Sequence, residues 1–256
     1  MHFTCAARTD VGTVRSGNED SYLMLAGRGL FIVADGMGGH AAGEVASEMA
    51  VRITSHELGS LRGLSEAEAS DRMGAALRAA NKAIFERTLA EHDKLGMGTT
   101  ATVLLFMRRR YLIGQVGDSR AYLFRNGELL HLTRDHSLVQ ELIDAGLLSP
   151  DQARGHPCSK VLTRCLGTPG DVVPDIYLGA LEQGDVFLIA SDGLTGMLED
   201  EQLIRIMSSG GGPQRWVERM ISEANGRGGL DNITAIVIRI EAVENNTGEQ
   251  PAVKHA

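Results

Sequence analysis

Long apolar runs are missing from this chain. None of its 256 residues belongs to a stretch approaching the ~20 consecutive apolar positions of a membrane-spanning helix. The N-terminal MHFTCAARTD also lacks the basic region and apolar core of a secretion signal. Cysteine is scarce: Cys5, Cys158 and Cys165 are an odd set with no CxxC pair. That argues against a disulfide framework or a thiolate metal site and favours a reducing compartment, with cytoplasm as the expectation. Positive charge is short as well, with 25 Lys and Arg against 33 Asp and Glu, a formal charge of -8. The signs are mixed along the chain, so there is no basic footprint for nucleic acid or an anionic membrane. The eight histidines are scattered, without the spacings of a zinc site.

At 43% hydrophobic the chain has ample material for a core. Short β-branched runs read as strands: LFIVA before Asp35, TTATVLLFM at 99–107, YLIGQVG at 111–117, DVFLIAS at 185–191 and NITAIVIRI at 232–240. Residues 121–132 read as a hairpin about Asn126-Gly127, because Asn-Gly supplies the positive φ angles of a two-residue turn. Helical periodicity covers 41–58, 66–92, 137–145 and 213–225, the last with Pro213 in its first turn. Consecutive strands joined by short turns predict an α+β domain built on antiparallel sheet. Ser208–Gly212 reads as a loop within that domain, and the polar residues from about Glu244 are expected to fray.

One pattern recurs: an apolar run meets Asp beside Gly. Asp35-Gly36 follows LFIVA, Gly117-Asp118 follows YLIGQV, and Asp192-Gly193 follows DVFLIAS. Asp231-Asn232 opens the run ITAIVIRI, and Asn18-Glu19-Asp20 precedes a candidate strand at Ser21–Leu25. Singly, each is an ordinary turn. Brought to one edge of a sheet, the carboxylates would raise one another's pKa values unless a cation intervened. An all-oxygen set suits Mg²⁺ or Mn²⁺. Two such ions about 3.5–4 Å apart would fix and deprotonate a water for in-line attack on phosphorus. Gly36 lets the backbone approach closely enough for its carbonyl to join the set. Arg15, a few residues from Glu19, supplies a guanidinium able to grip two phosphate oxygens.

With GxVRxGNED, ADGMGG, GDSRAY, SDGL and DNIT in this order, residues 3–240 closely resemble the PPM (PP2C-like) metal-dependent Ser/Thr protein phosphatases in their compact bacterial form. The resemblance implies a central antiparallel β-sandwich flanked by α-helices on both sides. It also implies a phosphatase domain over 1–241 with a flap insertion at about 134–170 and a disordered tail at 242–256. Position by position, it implies that Asp35 bridges two metals, with Asp192, Asp231 and the carbonyl of Gly36 as further ligands. Glu19 and Asp20 match an acidic pair that binds metal directly or through water. Asp118 matches a ligand of a third, weaker ion, and Arg15 the residue that holds the substrate phosphate. Ser119, Asn232 and His40 are candidates for supporting contacts. Many animal members carry His two positions after the bridging Asp as a general acid; here that position is Met37. The implied cofactor is Mn²⁺ or Mg²⁺. The implied partners are phosphorylated proteins and a separate Ser/Thr kinase.

Two rival chemistries are legible. Cys158 and Arg164 have the C-x5-R spacing of cysteine-dependent phosphatases, but the intervening Ser-Lys-Val-Leu-Thr lacks the glycines of a phosphate-wrapping loop. Gly36-Met37-Gly38-Gly39 has no Lys-Ser/Thr pair after it and is a weak nucleotide signal. A binding module without turnover would be expected to have lost principal aspartates, and none is missing.

Overall fold

The computed structural model describes residues 1–38, 42–59, 63–153 and 155–243. Its strands are β1 (His2–Asp10), β2 (Asp20–Leu25), β3 (Leu30–Met37), β4 (Gly98–Thr99), β5 (Ala101–Met107), β6 (Arg110–Val116), β7 (Arg120–Arg125), β8 (Glu128–His131), β9 (Asp175–Ala180), β10 (Val186–Ala190) and β11 (Ile233–Ala242). The helices are α1 (Ala42–Leu58), α2 (Glu66–Ala90), α3 (Leu138–Asp144), α4 (Pro150–Ala153), α5 (Asp192–Thr195), α6 (Asp200–Met207) and α7 (Gly212–Gly226). One sheet has the order β1-β11-β10-β7-β8 and the other β2-β3-β5-β6-β9, with β4 beside β3. Neighbouring strands pair antiparallel throughout.

The continuous apolar runs arise because the central strands are covered on both faces. In β3, Phe31 and Val33 point between the sheets, while Leu30, Ile32 and Ala34 pack under α1 and α2. In β11, Ile236, Ile238 and Ile240 face the other sheet, while Ile233, Ala235 and Val237 meet α7. The few aromatics concentrate between the sheets. Phe3, Phe31, Phe106, Phe187 and Tyr111 meet edge to face at centroid distances of 5.1–5.8 Å, the orientation that ring quadrupoles favour. Helix α2 starts where its sequence dictates. The Ser65 hydroxyl accepts from the Glu68 N–H, and the Glu68 carboxylate accepts from the Ser65 N–H.

The expected α-helix-flanked sandwich is therefore the one observed. The 121–132 hairpin turns on Asn126 and Gly127, at φ 53° and 86°. TTATVLLFM is two strands, because Thr100 leaves the ladder to bind Asp35. Strand β1 carries too little apolar pattern to be read from sequence. It is an edge strand whose register along β11 supplies its order. Strand β11 runs through Ala242, one residue past the expected domain end. The remainder of the expected tail, from 244, lies outside the described residues, as does His40.

Candidate active site at the strand ends

Five chain segments deliver acids to one place. Asp20 opens β2 and stands directly across from Asp35 of β3 in the strand register. Asp118 lies in the turn between β6 and β7, Asp192 begins α5 just after β10, and Asp231 precedes β11. Arg15, Glu19, Asp35, Gly36, Met37, Asp118, Asp192 and Asp231 all line a cleft of about 270 Å³, with Thr100, Lys160 and Leu162 on its walls. An open depression of about 370 Å³ beside the start of α2, lined by Leu64, Glu68, Asp71, Arg72 and Ala75, gathers none of these acids.

Close backbone approach is built into the cleft. A Cβ on Gly36 would lie 2.2 Å from the Gly43 carbonyl oxygen and 2.5 Å from that of Glu19. On Gly193 it would lie 1.9 Å from the Asn232 carbonyl oxygen. Only glycine fits either position, which explains the recurring Asp-Gly pairs.

A hydrogen-bonded cradle fixes the acids from behind. The Asp35 N–H donates to Thr100 Oγ1 at 2.9 Å, and its carbonyl accepts from the Thr100 N–H and from Thr99 Oγ1, both at 2.9 Å. Thr100 Oγ1 also meets Ser119 Oγ at 2.7 Å. Asn232 ties down the loop that carries Arg15. Its Oδ1 accepts from the Glu19 N–H at 2.8 Å, and its Nδ2 donates to the carbonyls of Val11 and Gly17. Ser191 Oγ donates to Asp20 Oδ2 at 2.8 Å and accepts from the Thr234 N–H. Gly117, beside Asp118, donates its N–H to His136 Nδ1 at 3.1 Å, and the other ring nitrogen of His136 meets Asp175 at 3.1 Å.

The electrostatics are those of an acid cluster short of cations. Burial raises the Asp35 carboxyl well above the ordinary value, and Asp20, Asp192, Asp118 and Asp231 raise it further. Burial pushes Asp20 up to about 7, against the hydrogen bonds of Thr234 and Ser191, with Asp192 and Asp231 adding to the rise. Burial also pushes Asp118 to about 7, with Asp192 and Asp135 contributing. Asp231 goes the other way. Burial opposes its charge, but Lys160, the Asn232 N–H and Arg15 outweigh burial and lower the value. Arg15 reaches Asp231 at 3.0 Å, while the ammonium of Lys160 bonds Asp192 and, at 2.9 Å, Asp231.

The donors fit divalent cations. The set is all oxygen, and the buried Oδ1 atoms of Asp20 and Asp192 have no hydrogen-bond partner. Buried carboxylate oxygens left bare are costly unless an ion satisfies them. As the side chains stand, no three His, Cys, Asp or Glu groups among the described residues are gathered tightly enough to close on one ion. Lys160 is the cation lodged between two of the acids.

The profile described as Protein phosphatase 2C matches residues 14–225. The chain belongs to that family. It is 40% identical over 238 residues to the serine/threonine protein phosphatase PstP of Mycobacterium tuberculosis, covering 91% of this chain but 44% of that protein. To the serine/threonine phosphatase stp of Listeria monocytogenes it is 39% identical over 235 residues, covering 90% of this chain and 93% of that one. The crystal structure of the PstP catalytic domain in complex with two manganese ions superposes with a TM-score of 0.84 at 36% identity, covering 94% of this chain and 99% of that chain. The PPM-type resemblance read from five short motifs is thus borne out over most of the chain.

Within this family fold, the expected site residues Arg15, Glu19, Asp20, Asp35, Gly36, Asp118, Asp192 and Asp231 come together, with Ser119 and Asn232 behind them. Four contributors escaped the sequence reading. Thr100 and Ser191 sit in ordinary strand and strand-end contexts, and His136 acts through a backbone amide. Lys160 is a single lysine in the flap and carries no motif. No histidine lines the cleft among the described residues. The C-x5-R stretch forms no cradle. Arg164 is committed to Asp175 and the Val173 carbonyl, and Val161 and Thr163 pair with the backbone of residues 136–138.

Proposed function

We propose that this chain is a Mn²⁺- or Mg²⁺-dependent phosphatase that removes phosphate from phosphoserine and phosphothreonine in proteins, and that it opposes a separate Ser/Thr kinase in the cytoplasm. The observation that carries the proposal is the convergence of Glu19, Asp35, Asp118, Asp192 and Asp231 in one cleft beside Arg15, with Asp20 across the strand register from Asp35 and buried oxygens of Asp20 and Asp192 left without partners. Asp35, Asp192, Asp231 and the Gly36 carbonyl would hold two ions. Glu19 and Asp20 would assist directly or through water, and Asp118 with Asp192 would hold a weaker third. Bound there, such ions would polarise a water for direct attack on phosphorus, a route that needs no phosphoenzyme.

The chain's own side chains do the rest. Arg15 is half exposed at the cleft wall and tied to Asp231. Once the charge of Asp231 is compensated, its guanidinium is free to grip the phosphoryl oxygens. Met37 offers no proton to the leaving alkoxide, a role that water in the cleft would fill in its place. The flap at about 134–170 would contact the protein substrate, a reading supported by Leu162 and Lys160 on the cleft wall. No helix among the described residues is long and apolar enough to cross a membrane, and the acidic net charge gives nucleic acid no surface.

The test is hydrolysis of a phosphothreonine peptide by metal-stripped protein, in chelator and then with added Mn²⁺, beside Asp192→Ala and Cys158→Ser. Activity should appear only with metal, fall by more than about 10²-fold in Asp192→Ala, and survive in Cys158→Ser. Metal-independent activity that is lost in Cys158→Ser would establish thiolate chemistry instead. Tight metal binding without turnover would make the chain a binding module.

A further inference from the structure

Lys160 stands in a turn of the flap that follows Pro157, and the carbonyl of Cys158 accepts from the Val161 N–H across that turn. Just beyond, the backbone is pinned. The Leu138 N–H donates to the Val161 carbonyl at 2.8 Å and the Thr163 N–H to the His136 carbonyl at 2.9 Å. The side chain of Lys160 thus reaches from a tethered base into the cleft, and its ammonium contacts the Oδ2 atoms of both Asp192 and Asp231. Among the described residues lining the cleft, only Arg15 and Lys160 are cationic against Glu19, Asp35, Asp118, Asp192 and Asp231. Asp192 still has a bare, buried Oδ1. A divalent ion that draws on Asp192 and Asp231 sits close to the ammonium their Oδ2 atoms carry, and the two cations repel at that range.

We propose that Lys160 is a tethered counter-cation of the metal centre: it holds Asp192 and Asp231 together before metal arrives, competes with the ion for both carboxylates, and on displacement releases the flap turn around residues 157–160. The inference rests on the assignment of those aspartates as metal ligands. It couples two parts of the molecule that the fold keeps on different segments, since occupancy of the acid cluster sets whether the turn at 157–160 is held to the cleft through Lys160. The coupling is reciprocal, so whatever draws Lys160 away from the acids strengthens metal binding by the same factor.

The experiment compares wild type, Lys160→Met and Lys160→Arg, each stripped of metal and checked for native circular dichroism. Three quantities are read: Mn²⁺ affinity by titration calorimetry, melting temperature in chelator and in saturating Mn²⁺, and amide hydrogen exchange over residues 156–163. Lys160→Met, which keeps the stem and loses the charge, should bind Mn²⁺ on the order of tenfold more tightly, the scale of a lost, partly exposed ion pair. It should melt below wild type in chelator and at or above it in Mn²⁺. A side chain with only a structural role would lower both melting temperatures. In wild type, Mn²⁺ should speed exchange in the flap turn; in Lys160→Met exchange should already be fast and insensitive to metal. Lys160→Arg, which keeps the charge, should resemble wild type. Equal Mn²⁺ affinity in wild type and Lys160→Met, with flap exchange indifferent to metal, overturns the proposal and leaves the metal centre standing. No Mn²⁺ uptake by any of the three overturns both.

Discussion

A buried carboxylate without an internal cation destabilises the fold that holds it, because burial and like charge both penalise the ionised form. Asp35 is in that position, with acids on every side and its main chain locked by Thr99 and Thr100. The metal-binding role proposed above would be the reason to keep it. Asp35→Asn should therefore stabilise the metal-free protein, by roughly 1–2 kcal/mol, while phosphopeptide hydrolysis in Mn²⁺ falls by more than about 10²-fold. Urea unfolding in chelator and turnover in Mn²⁺ measure the two effects separately. A variant that loses stability in chelator would show instead that the carboxylate is needed by the fold itself. At this scale the supporting groups are neutral and small, such as Thr100, Ser119, Ser191 and Asn232. They orient acids through hydroxyl and amide bonds without adding charge to a site already crowded with it.

Elements matter here chiefly through where they stop. Each acid lies at or beside a strand end, and the element that follows leaves sharply so that its backbone can pass close to a neighbour. Helix α5 is the clearest case. It begins on Asp192 directly after β10, and its second residue, Gly193, abuts the Asn232 carbonyl at the mouth of β11. The single methyl of Gly193→Ala cannot be accommodated by a side-chain rotation, since the atom in its way is backbone. The substitution should push Asp192 and Asp231 apart, cost about 2–4 kcal/mol in stability, and weaken Mn²⁺ binding beyond detection at millimolar metal. Thermal melts and calorimetric titration check both. An unchanged melting temperature would mean that the α5–β11 contact is looser than the structure places it.

Across the whole molecule, the acid cluster makes stability a function of pH and metal together. Asp20 and Asp118 titrate near 7 in the fold, against about 4 for an unfolded carboxylate, and burial with the surrounding acids raises Asp35 well above its ordinary value too. At these three carboxyls the folded state therefore binds more protons than the unfolded chain. The stability those groups contribute is fully present below about pH 4 and lost as pH rises through 7. Asp231, held below its ordinary value, has the opposite slope, but its window lies below pH 4 and does not enter the neutral range. In chelator the melting temperature should fall between pH 5.5 and 8. In saturating Mn²⁺ it should be flat or rise, because the ion binds the deprotonated acids. A melting temperature that is flat over this range in chelator would mean that the acids are already compensated by charge within the protein.

Local pattern determined much of this protein. The doubly covered strands announce themselves as continuous apolar runs, the 121–132 hairpin by Asn126-Gly127, and α2 by its Ser65/Glu68 cap. Asp35-Gly36, Gly117-Asp118 and Asp192-Gly193 are local statements too, because a close-packed turn beside a buried strand demands Gly where the chain is written. Tertiary structure alone decided what has no local signature. Strand β1 is ordered by its register along β11, since an edge strand needs no apolar alternation of its own. His136 and Ser191 became supports because the sheets deliver Gly117 and Asp20 to them across 19 and 171 residues of chain. Lys160 reached the acids because the tertiary fold brings its turn beside them, and long-range charge pairing leaves no periodicity in a sequence to read.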